Sequence, residues 1–266
     1  MKVDKHIHTP FCPHGSTDTL ERYVDQALSL GFDEISFTEH APLPEGFIDP
    51  TPLKDSAMSI AQMEEYLFQL EQLKKSYEQS IKINIGLEVD YIVHFEKQTT
   101  RFLDEYGPYL DDSILSVHFL KHAGQYYCLD FSDDEFARII ESFSTVERVY
   151  EAYYETVLDS IKSNLGHYKP NRIGHITLVH KFQKRFPCHQ DFNETMMTIL
   201  NEVQHQSLQL DYNAAGLYKP LCQEAYPSSW IVKEAQKKKI PLVYGSDAHC
   251  SKDLGQSYNS LFPLRF

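Results

Sequence analysis

The sequence has few cysteines: Cys12, Cys128, Cys188, Cys222 and Cys250 are the five. They are odd in number, scattered and without a CxxC pair, which argues against a disulfide framework and fits a reduced, cytoplasmic setting. Positive charge is also short. Twenty-five Lys and Arg face 38 Asp and Glu, a net charge of −13. Nothing here would neutralise a run of phosphates, so non-specific nucleic-acid binding is excluded. No stretch approaches the ~20 apolar residues of a membrane span. The polar start, Met1-Lys2-Val3-Asp4-Lys5, does not read as a signal peptide. Internal repeats, low-complexity tracts and linkers are missing too, so one domain over residues 1–266 is expected.

What the chain does have is 42% apolar residues, enough for a full core, arranged as short apolar runs alternating with amphipathic stretches. The strand candidates are Lys2–Ile7, Glu34–Phe37, Ile81–Val89, Ile114–Val117, Arg172–His175, Leu208–Asn213 and Pro241–Gly245. Helical patterns lie between them. One runs from a Ser16/Thr17 cap to Leu30, closed by Gly31, and one from Asp55/Ser56 to Gln79. Others fit Phe95–Glu105, Asp134–Asn164 with a break near Thr145, Phe192–Gln206 and Ser228–Lys239. Strand–helix alternation forces parallel strands. Seven such units make an α/β protein, either an open sheet or a barrel, and the length suits an eight-strand barrel less one unit. Between Ala41 and Lys54, four prolines forbid a regular helix or central strand and predict a rim loop or lid.

Thirteen histidines are many for 266 residues, and their positions matter more than their number. His6 and His8 end the first strand, His40 follows the second, Glu88 ends the third and His118 the fourth. His175 ends the fifth, and Asp247 with His249 closes the seventh. The C-terminal ends of parallel strands share one face, where active sites form. Six of seven strands therefore deliver a metal-type ligand to one rim. Residues i and i+2 on a strand point the same way, so His6 and His8 converge, as do Asp247 and His249; His14 lies on the first rim loop. Any one of these residues alone fits an ordinary loop or capping role. Their joint placement does not. Four to six ligands saturate zinc, iron or manganese, so nine groups imply two or three ions. His94, His167, His189 and His205 fall on helices or helix-side loops and read as surface or core. His122 and His180 stay open, the Tyr150–Tyr154 run reads as packing, and the thiols of Cys12 and Cys250 are not needed to complete the set.

At these residues the sequence resembles the polymerase-and-histidinol-phosphatase (PHP) superfamily of metal phosphoesterases, in its histidinol-phosphatase branch. The resemblance covers the whole chain. It is carried by His6-x-His8 with His14, Thr38-Glu39-His40, Gly86-Leu87-Glu88, Ser116-Val117-His118, Gly174-His175 and Gly245-Ser246-Asp247-Ala248-His249. The branch-specific parts are His8-Thr9-Pro10-Phe11-Cys12-Pro13-His14-Gly15 and Glu39-His40-Ala41-Pro42-Leu43. It implies a distorted seven-stranded, TIM-like (β/α)7 barrel forming a single PHP-type domain. It implies one metal on His6, His8, Glu88 and Asp247, a second on His118 and His175 sharing Glu88, and a third on His14, His40 and His249.

The implied activity is hydrolysis of a small phosphomonoester, foremost L-histidinol phosphate in histidine biosynthesis, by in-line attack of a metal-bridging hydroxide. Clustered cations are the direct remedy for a dianionic substrate that repels hydroxide. Asp247 would hold metal and orient the hydroxide or accept its proton. For the phosphate, Arg172 is poorly placed, facing opposite to His175 and lying toward the strand's start; His180 and Lys181 are better placed. A lid carboxylate such as Glu45 could read the amine and imidazole of histidinol. The competing readings are a phosphatase for another phosphomonoester or phosphotyrosine, a metal-dependent amidohydrolase, and a binding module with a decayed site. His14, Glu88 and the Asp247/His249 pair argue against the amidohydrolase, and the full ligand set argues against decay.

Overall fold

A computed structural model describes residues 1–261. In chain order the strands are β1 (Val3–Ile7), β2 (Glu34–His40), β3 (Lys82–Asp90), β4 (Asp112–Ser116), β5 (Phe119–His122), β6 (Gln125–Cys128), β7 (Arg172–Ile173), β8 (Gln209–Asn213) and β9 (Leu242–Gly245). All but β5 and β6 are parallel and lie side by side in the order β1-β2-β3-β4-β7-β8-β9. The helices are α1 (Leu20–Ser29), α2 (Met63–Ser76), α3 (Glu96–Tyr106), α4 (Asp133–Phe143), α5 (Val146–Lys162), α6 (Asn193–His205), α7 (Ser229–Lys237) and α8 (Tyr258–Leu261). The protein is thus α/β. The sheet curls until β9 meets β1, where a parallel bridge pairs Ile7 with Ala248. Two backbone-to-backbone bonds make that seam, His8 N to Ala248 O at 3.0 Å and Asp247 N to His6 O at 2.8 Å. The barrel is nearly closed and distorted, and β7 contributes only two residues to it.

Period-two patterning gives this barrel a polar inside. Ile35, Phe37, Ile83, Ile85, Leu87 and Val89 turn outward into the buried core beneath the helices. The alternating residues Ser36, Thr38, Asn84, Gly86 and Glu88 turn inward. Space inside is tight. A Cβ on Gly245 would lie 2.4 Å from His6 Cβ and 2.7 Å from Asp211 Oδ1, so a bare backbone is required there. The lower end is plugged by Arg172, only 1% exposed, whose Nη2 donates to Lys5 O (2.8 Å) and Asp112 Oδ2 (3.0 Å). Ser36 donates to the same carboxylate at 2.7 Å, and Asn84 Nδ2 reaches Ser36 Oγ at 3.0 Å and Glu34 Oε1 at 2.8 Å.

Several elements differ from the sequence expectation for identifiable reasons. The helix expected from Asp55/Ser56 starts later, because Asp49 takes both the amide and the hydroxyl of Ser56. Ser59 and Gln62 form the capping box instead. The break near Thr145 is present: Ser144 has φ 78°, and Thr145 caps α5 by accepting from Arg148 N. The β5–β6 hairpin was not expected. Its two-residue turn, Ala123-Gly124, has positive φ at both positions, the geometry that suits a tight hairpin. The proline-rich stretch is the expected irregular loop. It is pinned by Phe47 against Phe95, Phe119 and Tyr126 and by Asp49 bonding Thr51 and Ser56. Among the described residues no helix is long and apolar enough to cross a membrane.

Candidate metal centre

The parallel strands point their C-terminal ends at one rim, and the chemistry gathers there. His6 lies within β1 with His8 just beyond it, His40 closes β2, and Glu88 stands opposite it in register on β3. His118, His175 and Asp247 lie past the ends of their strands rather than on them. The ladder has stopped by then, and Asp247 turns in with φ 55°, a left-handed conformation that Asp tolerates.

Glu88 sits at the middle of the cluster. Its Oε2 lies 3.4 Å from His6 Nε2, 3.6 Å from His8 Nε2 and 3.2 Å from His40 Nδ1. Its Oε1 lies 2.9 Å from His175 Nε2 and 3.8 Å from His118 Nε2, and accepts from Ser116 Oγ at 2.6 Å. Asp247 Oδ1 is 3.2 Å from His8 Nε2 and 3.7 Å from His6 Nε2. His6 Nε2, His8 Nε2 and His40 Nδ1 are buried and have no hydrogen-bond partner. Buried polar atoms seldom stay unpaired. Here they converge with carboxylate oxygens, so the donor set fits divalent ions.

The far sides of the rings are fixed. His6 Nδ1 donates to Asp211 Oδ2 (2.8 Å), His8 Nδ1 to Glu39 Oε1 (3.2 Å) and His118 Nδ1 to Asp90 Oδ1 (2.8 Å). His14 Nδ1 donates to Asp55 O (2.8 Å), and His249 Nδ1 to Asp247 O (3.1 Å). Each bond turns Nε2 toward the cluster, as in metal-bound imidazoles. The sequence reading missed Asp211, Glu39, Asp90 and Asn213, whose Nδ2 donates to Asp247 Oδ2 at 3.0 Å. A signal existed: β8 was the one strand without an assigned ligand, yet it ends in Asp211-x-Asn213, two polar side chains on one face.

Burial shapes the charges. It pushes the Glu88 and Asp247 carboxyls upward, but the surrounding imidazoles outweigh it and hold both well below the usual carboxylate range. Burial, with the charge of His8 beside them, holds His40 and His249 well below the ordinary imidazole value. For His8 and His118, burial is outweighed by neighbouring carboxylates, and they are pushed up to about 9 and about 10. Any metal must therefore displace protons to enter.

Three groups have donor atoms within 4.8 Å of one another: His6, His8 and Asp247; Glu88, His118 and His175; and His8, Cys12, His40 and His249. Of the expected third set, His14, His40 and His249, two members stand in the last of these groups, together with His8 and Cys12. His14 is exposed, with its ring centroid 5.2 Å from that of His40 and 5.1 Å from that of His249.

The substrate-side expectations divide. Lys181 lines the cavity of about 390 Å³ above the cluster, its ammonium donating to Asp130 O (2.6 Å) and Oδ2 (2.9 Å). Lys219, unforeseen, lines the same cavity. His180 turns away, because a 3-10 turn aims successive residues differently. It bonds Glu224 at 2.9 Å and Tyr154 at 3.0 Å and lines a separate cavity. Glu45 is exposed on the lid and lines neither rim cavity. Arg172 is remote as expected, but it points into the barrel as His175 does, at the opposite end. His94 bonds Lys121 and His122 packs on Phe143, away from the cluster. His167, His189 and His205 do not line the rim cavity either.

A nearly closed parallel barrel with a buried histidine–carboxylate cluster on its C-terminal rim defines a class of metal-dependent hydrolase. The PHP domain model matches residues 4–215, and the chain belongs to the PHP family. It is 51% identical to the histidinol-phosphatase of Bacillus subtilis over 262 residues, 98% of each chain. A solved structure from Listeria monocytogenes, described as a candidate histidinol phosphatase, superposes with a TM-score of 0.92 at 40% identity, covering 98% of this chain and 100% of that one. The Lactococcus lactis histidinol phosphate phosphatase, complexed with zinc, L-histidinol and phosphate, has the same fold: TM-score 0.70 at 22% identity, over 94% of this chain and 87% of that one.

Proposed function

We propose that the chain, acting as one PHP-type unit, hydrolyses L-histidinol phosphate to L-histidinol and phosphate in the cytoplasm, using two to three divalent ions such as zinc, iron or manganese. The observation that carries this is Glu88, with its two oxygens set between two groups of imidazoles. The 51% identity to a histidinol-phosphatase supplies the substrate. His6, His8 and Asp247 would hold one ion and His118 and His175 another, with Glu88 shared between them. His40 and His249 would hold a third, joined by His14 or Cys12. When bound, the ions would lower the pKa of water and offset phosphoryl charge.

The chain's own residues supply the rest. Asn213 occupies Asp247 Oδ2, leaving Oδ1 toward His6 and His8, where it can orient the attacking water and accept its proton. Lys181 is balanced by Asp130, so Lys219 brings the uncompensated positive charge to the phosphate. The outer ring bonds keep the imidazoles from turning as charge moves.

The test is turnover by purified protein. L-histidinol phosphate should exceed a panel of other phosphomonoesters, including phosphotyrosine, in kcat/KM. Elemental analysis should find two to three ions per chain, and chelation should remove them together with activity. A better substrate in the panel, or full activity with less than one ion per chain, would overturn the reading.

A further inference from the structure

A second cavity, of about 160 Å³, opens beneath the lid. It shares His14, His40, His118, Asp130 and Lys181 with the metal cavity. A phosphate ester held at the ions would place its alcohol portion here. Nearly every polar group on this wall already has a partner. The hydroxyls of Thr51 and Ser56 donate to Asp49 at 2.8 and 3.0 Å. Asp90 accepts from His118, and Asp130 accepts from Lys181 and from the Cys128 thiol.

Asp55 differs. Its backbone carbonyl holds His14 at 2.8 Å, but among the described residues its carboxylate has no hydrogen-bond or ion-pair partner. Lys181 and Asp130 cancel each other, so the carboxylate of Asp55 gives this wall an unbalanced negative charge. Phe131, 37% exposed, lines the same cavity and can offer its ring.

We propose that Asp55 is a specificity-determining residue that binds a cationic amine on the leaving alcohol, with the ring of Phe131 facing the same charge. Carboxylate and aromatic face are two groups that recognise an ammonium. This rests on the histidinol phosphate reading, whose alcohol carries an amine. Asp55, one residue past the end of the lid, takes the place expected of Glu45. Because its partner is present before and during phosphoryl transfer, its effect belongs mainly in KM.

The experiment compares L-histidinol phosphate with its N-acetyl derivative, in the wild type and in Asp55→Asn. Acetylation should lower kcat/KM roughly 10- to 100-fold in the wild type. In Asp55→Asn it should cost less than about threefold. Metal content should be unchanged, since the carbonyl holding His14 remains. An equal acetylation penalty in both proteins would overturn the proposal, as would equal loss on both esters with loss of metal. A wild type that ignores histidinol phosphate but prefers another amine-bearing phosphomonoester over its acetylated form, in an Asp55-dependent way, would sink the histidinol reading and leave the assignment of Asp55 standing.

Discussion

At the lower end of the barrel Arg172 meets Asp112 and a backbone carbonyl, while Glu34 meets Lys5 at 2.6 Å and Lys82 at 3.1 Å. At the upper end, Glu88 and Asp247 stand among imidazoles and no Lys or Arg ion-pairs with either of them among the described residues. Both ends bury charge inside the same strands. The lower end neutralises it with the chain's own cations, and the two unpartnered Arg172 atoms, Nε and Nη1, are donors that repel a cation. The upper end leaves atoms that can exchange a proton for a metal. Burial alone therefore does not mark a functional site; what marks it is burial whose compensation the chain does not itself provide.

The sharpest way to break this contrast is at Glu88. Glu88→Gln should lower kcat/KM by more than about a thousandfold, since an amide cannot supply the two anionic oxygens that Glu88 sets between the two groups of imidazoles. Metal-free protein should melt close to the wild type, because the Ser116 bond can persist. Retained activity, or collapse of the fold, would erase the functional character of the upper end. Next is Arg172→Met, which should cost about 2–3 kcal/mol of stability by leaving the partly buried Asp112 carboxylate without its cation, held only by Ser36 and Ser113. Denaturant unfolding of metal-free protein measures it. Activity per folded molecule should be unchanged, and adding Asp112→Asn should recover part of the loss.

The smallest effect is in pH. Burial raises the Glu34 carboxyl, but Lys5, Asn84 and Lys82 outweigh it and hold the group down to about 2, against an ordinary 4.5. A carboxyl depressed in the folded state contributes stability that is complete above its unfolded pKa and is lost as pH falls through the folded one. The stability gap between wild type and Glu34→Gln should therefore be full above about pH 5 and shrink as pH drops below 4.5. Thermal melts across that window check it, and a gap independent of pH would mean that Glu34 is held by packing rather than charge.

The sheet and the gathering of imidazoles and carboxylates at its rim were largely legible, since period-two alternation places His6, His8 and Glu88 on one face whatever the helices do. The partners behind the imidazoles were not. Asp, Glu and Asn are common at any strand end, and only distance distinguishes Asp211 from a surface acid. His180 and Lys181 are adjacent in sequence but face different cavities, because turn geometry separates them. Cys12 and His14 could not be ranked from spacing, since both lie on one short loop whose path is set by bonds from Gly15 N to Cys12 O and from Ser16 N to His249 O.

The seam between β1 and β9 also bears on how the molecule comes into being. It joins partners such as Asp4 and Ser246 across 242 positions, so His6 and His8 meet Asp247 only once the chain has been made past residue 247. Glu88, His118 and His175 all precede Asp247 in the chain, but the first imidazole pair must wait for it. Because the same two hydrogen bonds close the barrel and bring Asp247 to His6 and His8, an ion bound there would clasp the start of the domain to its end.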